Sequence, residues 1–135
     1  MTILRGALIV GTLDIVEVIL FYWFRGVAPS RVLQGVARGI GSNSAAVGLA
    51  LHFLIAAVVV AVYVVASRRI EVLRRRPVLM GALYGVAVLL VMNWVVVPLS
   101  AIGAAPAKPL MIANLLFAHI FCVGIPTGLV AARGR

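Results

Sequence analysis

Four side chains with the chemistry to hold a proton or a cation lie in oily surroundings. Asp14 and Glu17 sit three residues apart in GTLDIVEVILFYWF; His52 lies in LALHFL and His119 in LFAHIF. At a spacing of three, Asp14 and Glu17 share one helix face. Two carboxylates this close in a low dielectric do not both ionise easily, and an imidazole beside them tends to take up charge. Such a set can trade a proton near neutral pH. Carboxylates and histidines near a bilayer midplane are what an ion path or a coupled carrier needs. The same four, Asp14, Glu17, His52 and His119, are also a ligand set for Zn²⁺, Mn²⁺ or Fe²⁺. His52 and His119 alone suit the two axial positions of a haem b. No HExxH or comparable spacing favours a metal, so the expectation is no resident cofactor, with a metal ion or haem as alternatives. The plainest alternative is that these groups only make hydrogen bonds between helices.

The elements that must position these groups follow from composition. Of 135 residues, 64% are hydrophobic and 11% charged. A soluble domain this size cannot hide so much apolar surface, so the expected solvent is a bilayer. Four runs, near 6–24, 45–66, 78–99 and 110–131, are long enough to cross about 30 Å of hydrocarbon at about 1.5 Å per residue. The expected fold is an all-α, single-domain bundle of four transmembrane helices spanning 1–135. Tyr22, Trp23, Tyr63, Tyr84 and Trp94 fall near the ends, as an interfacial belt would. The first run is read as retained rather than cleaved, because Gly26-Val27-Ala28 is followed by Pro29. Between the first two runs, residues 30–40 read as a short amphipathic helix lying in the interface. Val32, Leu33, Val36 and Ile40 fall on one side and Arg31, Gln34 and Arg38 on the other.

The net charge of +9 is placed between the oily runs. Arg5, the loop residues Arg68, Arg69, Arg74, Arg75 and Arg76, and Arg133 with Arg135 lie on one face. Arg25, Arg31, Arg38 and Lys108 lie on the other. That bias puts both termini in the cytoplasm and gives the five-arginine loop anionic lipid headgroups as partners. No aromatic-basic platform suggests nucleic acid. One cysteine, Cys122, excludes an internal disulfide. No GxSxG, phosphate loop or dinucleotide fingerprint occurs, so an enzyme is not the expectation.

Small residues and prolines suggest a shape. Gly81 with Gly85, and Gly124 with Gly128, are pairs four apart in the cytoplasmic halves of the third and fourth runs. Such pairs let helix backbones approach closely in lipid. Asp14, Glu17, His52 and His119 fall roughly 10–15 Å in from the outer ends at helical rise, with Asn93 and Asn114 shallower as supporting hydrogen bonders. The expected bundle is pinched on the cytoplasmic side and splayed outside, with a polar pocket in the splay. Pro98 and Pro126 are kink positions; Pro126 frees the carbonyl of Cys122. Two mid-helix acids cost roughly 5–7 kcal/mol on the insertion scale, against about 3–7 kcal/mol returned by the eleven Leu, Ile, Val and Phe residues of the first run. That span is near break-even alone and needs its neighbours. Four short spans are few for a lone carrier, so a homo-oligomer or a subunit of a membrane complex is expected. A lipid-binding or accessory role fits the composition equally.

The motifs GTLDI…FYWFRGVAPSRVLQGVARG, GLALHFLIA, RRPVLMGALYGVAV…MNWVVVPLS and AHIFCVGIPTGL run through nearly the whole chain. Together they resemble a family of small four-span bacterial inner-membrane proteins, loosely similar to the YagU-type membrane proteins. The resemblance implies a bacterial inner membrane and a four-span fold, and brings no activity with it. Asp14, His52, Asn93, Pro98 and His119 match its motif positions; Glu17 departs from its pattern.

Overall fold

Proline and serine mark where the helices begin. In the computed structural model, α2 (Pro29–Ala37) starts on Pro29, where the missing N–H would be unpaired anyway. Ser44 caps α3 (Ala45–Arg69) by accepting from the Val47 N–H at 3.3 Å. The long fifth and sixth helices, α5 (Pro77–Leu99) and α6 (Pro109–Arg133), also open on prolines. Ahead of them lie α1 (Thr2–Trp23) and a single turn in the arginine loop, α4 (Val72–Arg75). Gly26 and Gly41 have φ of 79° and 75°, left-handed values that only glycine adopts freely. They reverse the chain after α1 and after α2. The structure describes residues 1–103 and 108–134, and no strand occurs among them. Arg135, counted in the charge bias, lies outside the described residues.

Three helices, α3, α5 and α6, are long and apolar enough to cross a membrane. The first, α1, is 22 residues long but carries Arg5, Asp14 and Glu17, and is not among them. The amphipathic segment forms as α2 plus a 3₁₀ turn, Arg38–Ile40. Val32 is buried, but Ile40, expected on the same face, is 62% exposed. The tighter 3₁₀ winding after Ala37 turns it outward. This segment packs on α3, where Gly48 abuts the Leu33 carbonyl.

Around the bundle the order is α3, α1, α6, α5: α1 packs against α3 and α6, and α5 against α6. The core comprises Val10, Val60, Tyr63, Val64, Val123 and Ala131. Many large apolar side chains instead point outward, among them Leu8, Leu54, Leu83 and Phe121. Between α5 and α6 the glycines decide the distance. Gly81 faces the Gly124 carbonyl, Gly85 the His119 carbonyl, and Gly128 the Pro77 carbonyl. On α3 the buried stripe runs through Ala56, Val60, Tyr63, Val64 and Ser67.

Two expectations need correction. Tyr63 and Tyr84, expected in an interfacial belt, turn toward one another between α3 and α5. Tyr63 is 1% exposed, and its ring meets Tyr84 edge-on at 4.9 Å. Each hydroxyl donates to a main-chain carbonyl, Tyr63 to Leu73 at 3.0 Å and Tyr84 to Val59 at 2.7 Å. A buried phenol with its hydroxyl satisfied loses nothing by leaving the interface. The second correction concerns the splay. α3 and α5 do diverge, leaving a groove of about 460 Å³, but Leu54, Val58, Val62, Ala87, Val88 and Val91 line it. It is apolar, and the acids and histidines lie elsewhere.

Candidate functional site

The polar residues gather where α1 is sandwiched between α3 and α6. The register is antiparallel on both sides. Gly6 faces Val60 of α3 and Val130 of α6, and Gly11 lies under the Phe53 ring and beside Ala56. Advancing along α1 therefore means retreating along α3 and α6, so Asp14 arrives level with His52. Because Gly11 has no side chain, the Phe53 ring and Ala56 of α3 lie directly on α1, and the neighbouring His52 ring reaches its main chain. Its Nε2 lies 2.8 Å from the Gly11 carbonyl oxygen. A carbonyl only accepts, so Nε2 carries a proton and donates it there. The same nitrogen is 3.9 Å from Asp14 Oδ2, beyond hydrogen-bond length but within reach of charge. The side chains of His52 and Asp14 are 12% and 18% exposed.

From the other side α6 brings His119, Asn114 and Cys122. The Nδ1 of His119 donates to the Leu115 carbonyl one turn back, at 2.9 Å. In a neutral ring this leaves Nε2 as a bare acceptor. Both histidines stand close enough to Asp14 to act on its charge. The Asn114 amide sits beside the Glu17 carboxylate, and Asp14 and Glu17 act on one another. Cys122 lies in the field of both acids.

Two oxygens in this layer are unmatched. Asp14 Oδ1 and Glu17 Oε2 are buried and have no hydrogen-bond partner among the described residues. A bare carboxylate oxygen in an apolar layer is costly unless it is protonated or meets a cation or donor. The layer can therefore accept protons, a small cation or a donor-bearing solute.

Other sequence candidates fall outside it. The Asn93 amide donates to the Leu89 carbonyl of its own helix at 3.0 Å. Pro98 and Pro126 each follow a π-helical stretch, Met92–Val96 and Ala118–Gly124, the latter carrying His119 and Cys122. The arginines Arg68, Arg69, Arg74, Arg75 and Arg76 lie exposed at the far end, with Arg75 paired to Glu71 at 2.9 Å. A metal centre of Asp14, Glu17, His52 and His119 is not assembled. No three His, Cys, Asp or Glu side chains converge as a metal cage among the described residues.

Sequence reasoning missed Gly11. Its signal was its place three residues before Asp14, one helical turn down the same face. Fold and site together define an all-helical chain with three helices able to cross a membrane and a buried acid–imidazole layer against a fourth. No protein-family model, curated protein or solved structure matches it.

Proposed function

We propose that this chain is a four-span bacterial inner-membrane protein whose Asp14–Glu17–His52–His119 layer takes up and releases a proton or a small cation. Support for α1 as the fourth span comes from its packing. It runs antiparallel to α3 and α6, from Gly6 beside Val60 and Val130 to Asp14 beside His52. Neighbours apolar enough to cross carry a break-even helix with them. The arginine bias argues for cytoplasmic termini.

The observation that carries the functional reading is the pair of buried oxygens without a partner among the described residues, Asp14 Oδ1 and Glu17 Oε2, with His52 at 3.9 Å from Asp14 and His119 within reach of its charge. Asp14 is the main acceptor and Glu17 its coupled partner. Asn114 steadies Glu17, and His52 and His119 relay or share the charge. A purely structural role has one observation in its favour: the His52–Gly11 bond ties α3 to α1.

Proteoliposomes with an internal pH dye separate the two. Asp14→Asn keeps the shape and removes the charge. Proton-coupled flux should fall by about tenfold or more, with little change in melting. If the wild-type protein carries no flux under a proton or cation gradient, or Asp14→Asn leaves flux intact, the structural role stands instead.

A further inference from the structure

A second groove opens between α1 and α6 at the arginine-rich end, with a volume of about 440 Å³. Its two walls are built alike. Along α1 the lining runs Arg5, Ile9, Leu13, and along α6 it runs Arg133, Leu129, Pro126. Each is a stripe at turn spacing that starts with a cation and continues apolar. The helices are antiparallel, yet both arginines fall at the same mouth, joined there by Thr2. Among the described residues neither arginine has an acidic partner within ion-pair distance. From Arg5 to Leu13 the groove runs about 12 Å at helical rise, close to one leaflet of a core roughly 30 Å thick.

We propose that this groove holds one anionic phospholipid of the cytoplasmic leaflet. The phosphate sits between the Arg5 and Arg133 guanidiniums, and one acyl chain lies along Ile9, Leu13 and Leu129. The assignment rests on the four-span reading. Arginine forks match phosphate oxygens in two-point contact, and the apolar walls beneath suit a tail rather than a free anion. Two other openings among the described residues lack this combination. No cation lines the α3–α5 groove. The hollow by Arg74 and Arg75 includes Glu71, already paired with Arg75, and has no apolar wall leading from it.

Full-length protein exchanged into vesicles of equimolar phosphatidylglycerol and phosphatidylcholine, then examined by native mass spectrometry, tests this. The wild type should retain phosphatidylglycerol over phosphatidylcholine by about tenfold. Arg5→Gln with Arg133→Gln should bring the ratio near parity. Leu129→Trp should do the same by filling the groove with both cations in place. Arg31→Gln with Arg38→Gln removes equal charge from α2 and its 3₁₀ turn, away from the groove and the arginine loop, and should preserve the preference. An unchanged ratio in either groove variant, an equal loss in the α2 control, or displacement by inorganic phosphate alone would overturn the assignment. Carbonate extraction run in parallel separates the premises. Wild-type protein washed off the membrane refutes the four spans, whereas integral protein without lipid preference refutes only the lipid site.

Discussion

Gly85 shows how much one hydrogen atom in place of a methyl group controls. A Cβ there would run into the His119 carbonyl and the Ile120 backbone. Main chain cannot swing aside as a flexible side chain can, so α5 and α6 would have to separate. Gly85→Ala should destabilise the protein by about 1–3 kcal/mol, measured by unfolding in mixed detergent micelles. It should also disturb the polar layer, because the displaced carbonyl belongs to His119. Gly35→Ala is the matched control. It lies inside α2 with nothing within 4 Å of its Cβ position, and should gain up to about 1 kcal/mol. Equal losses at both positions would refute the close-packing account. The glycine spacing of four was readable in the sequence, since it depends only on neighbours along one helix. Gly6, Gly11 and Gly48 carried no such spacing, and their importance arises from the helix opposite. Asn93 shows a related limit: depth in a span says nothing about direction, and its amide donates to a carbonyl of its own helix.

At the scale of the element, both π-helical stretches end two residues before a proline, Val96 before Pro98 and Gly124 before Pro126. Proline offers no N–H to the carbonyl four residues back. A wider turn lets the preceding chain find new partners, and it changes the direction in which side chains leave the helix. In α6 that stretch holds His119 and Cys122, so the widened turn sets how the histidine meets Asp14. A π turn accommodates an extra residue, which gives a sharp test by deletion. Removing Phe121, 56% exposed within the stretch, lets the helix close to α geometry and should change stability by about 1 kcal/mol or less. Removing Leu115 from the regular part rotates one half of α6 by about 100° against the other and should cost several times as much. If thermal melts of the two deletions coincide, the stretch is not acting as a spare residue. Proline placement was plain from sequence, but the form of the distortion was not. In a span apolar on nearly every side, hydrophobic periodicity has no contrast from which to read the local pitch.

For the molecule as a whole, the four-span proposal turns on α1. Hydropathy identified three helices without difficulty because their apolar residues outweigh everything else. It could not decide α1, where two acids nearly cancel eleven large apolar residues. Under the four-span proposal assembly tips the balance: Gly6 and Gly11 let α1 lie close to α3, and His52 Nε2 then lies 3.9 Å from Asp14. A helix inserted this way has its ends on opposite sides of the membrane. In a Cys122→Ala background, Ser30→Cys should react with a membrane-impermeant maleimide on intact spheroplasts. Thr2→Cys should react only after permeabilisation. If α1 instead lay along the surface, positions 2 and 30 would share a side and label alike. The same pair of cysteines should behave identically when Asp14→Asn is added, because a neutral amide is easier to insert than a carboxylate. If Asp14→Asn moved Thr2 to the other side, the acid would be a determinant of topology, and its place beside the histidines would need no transport function.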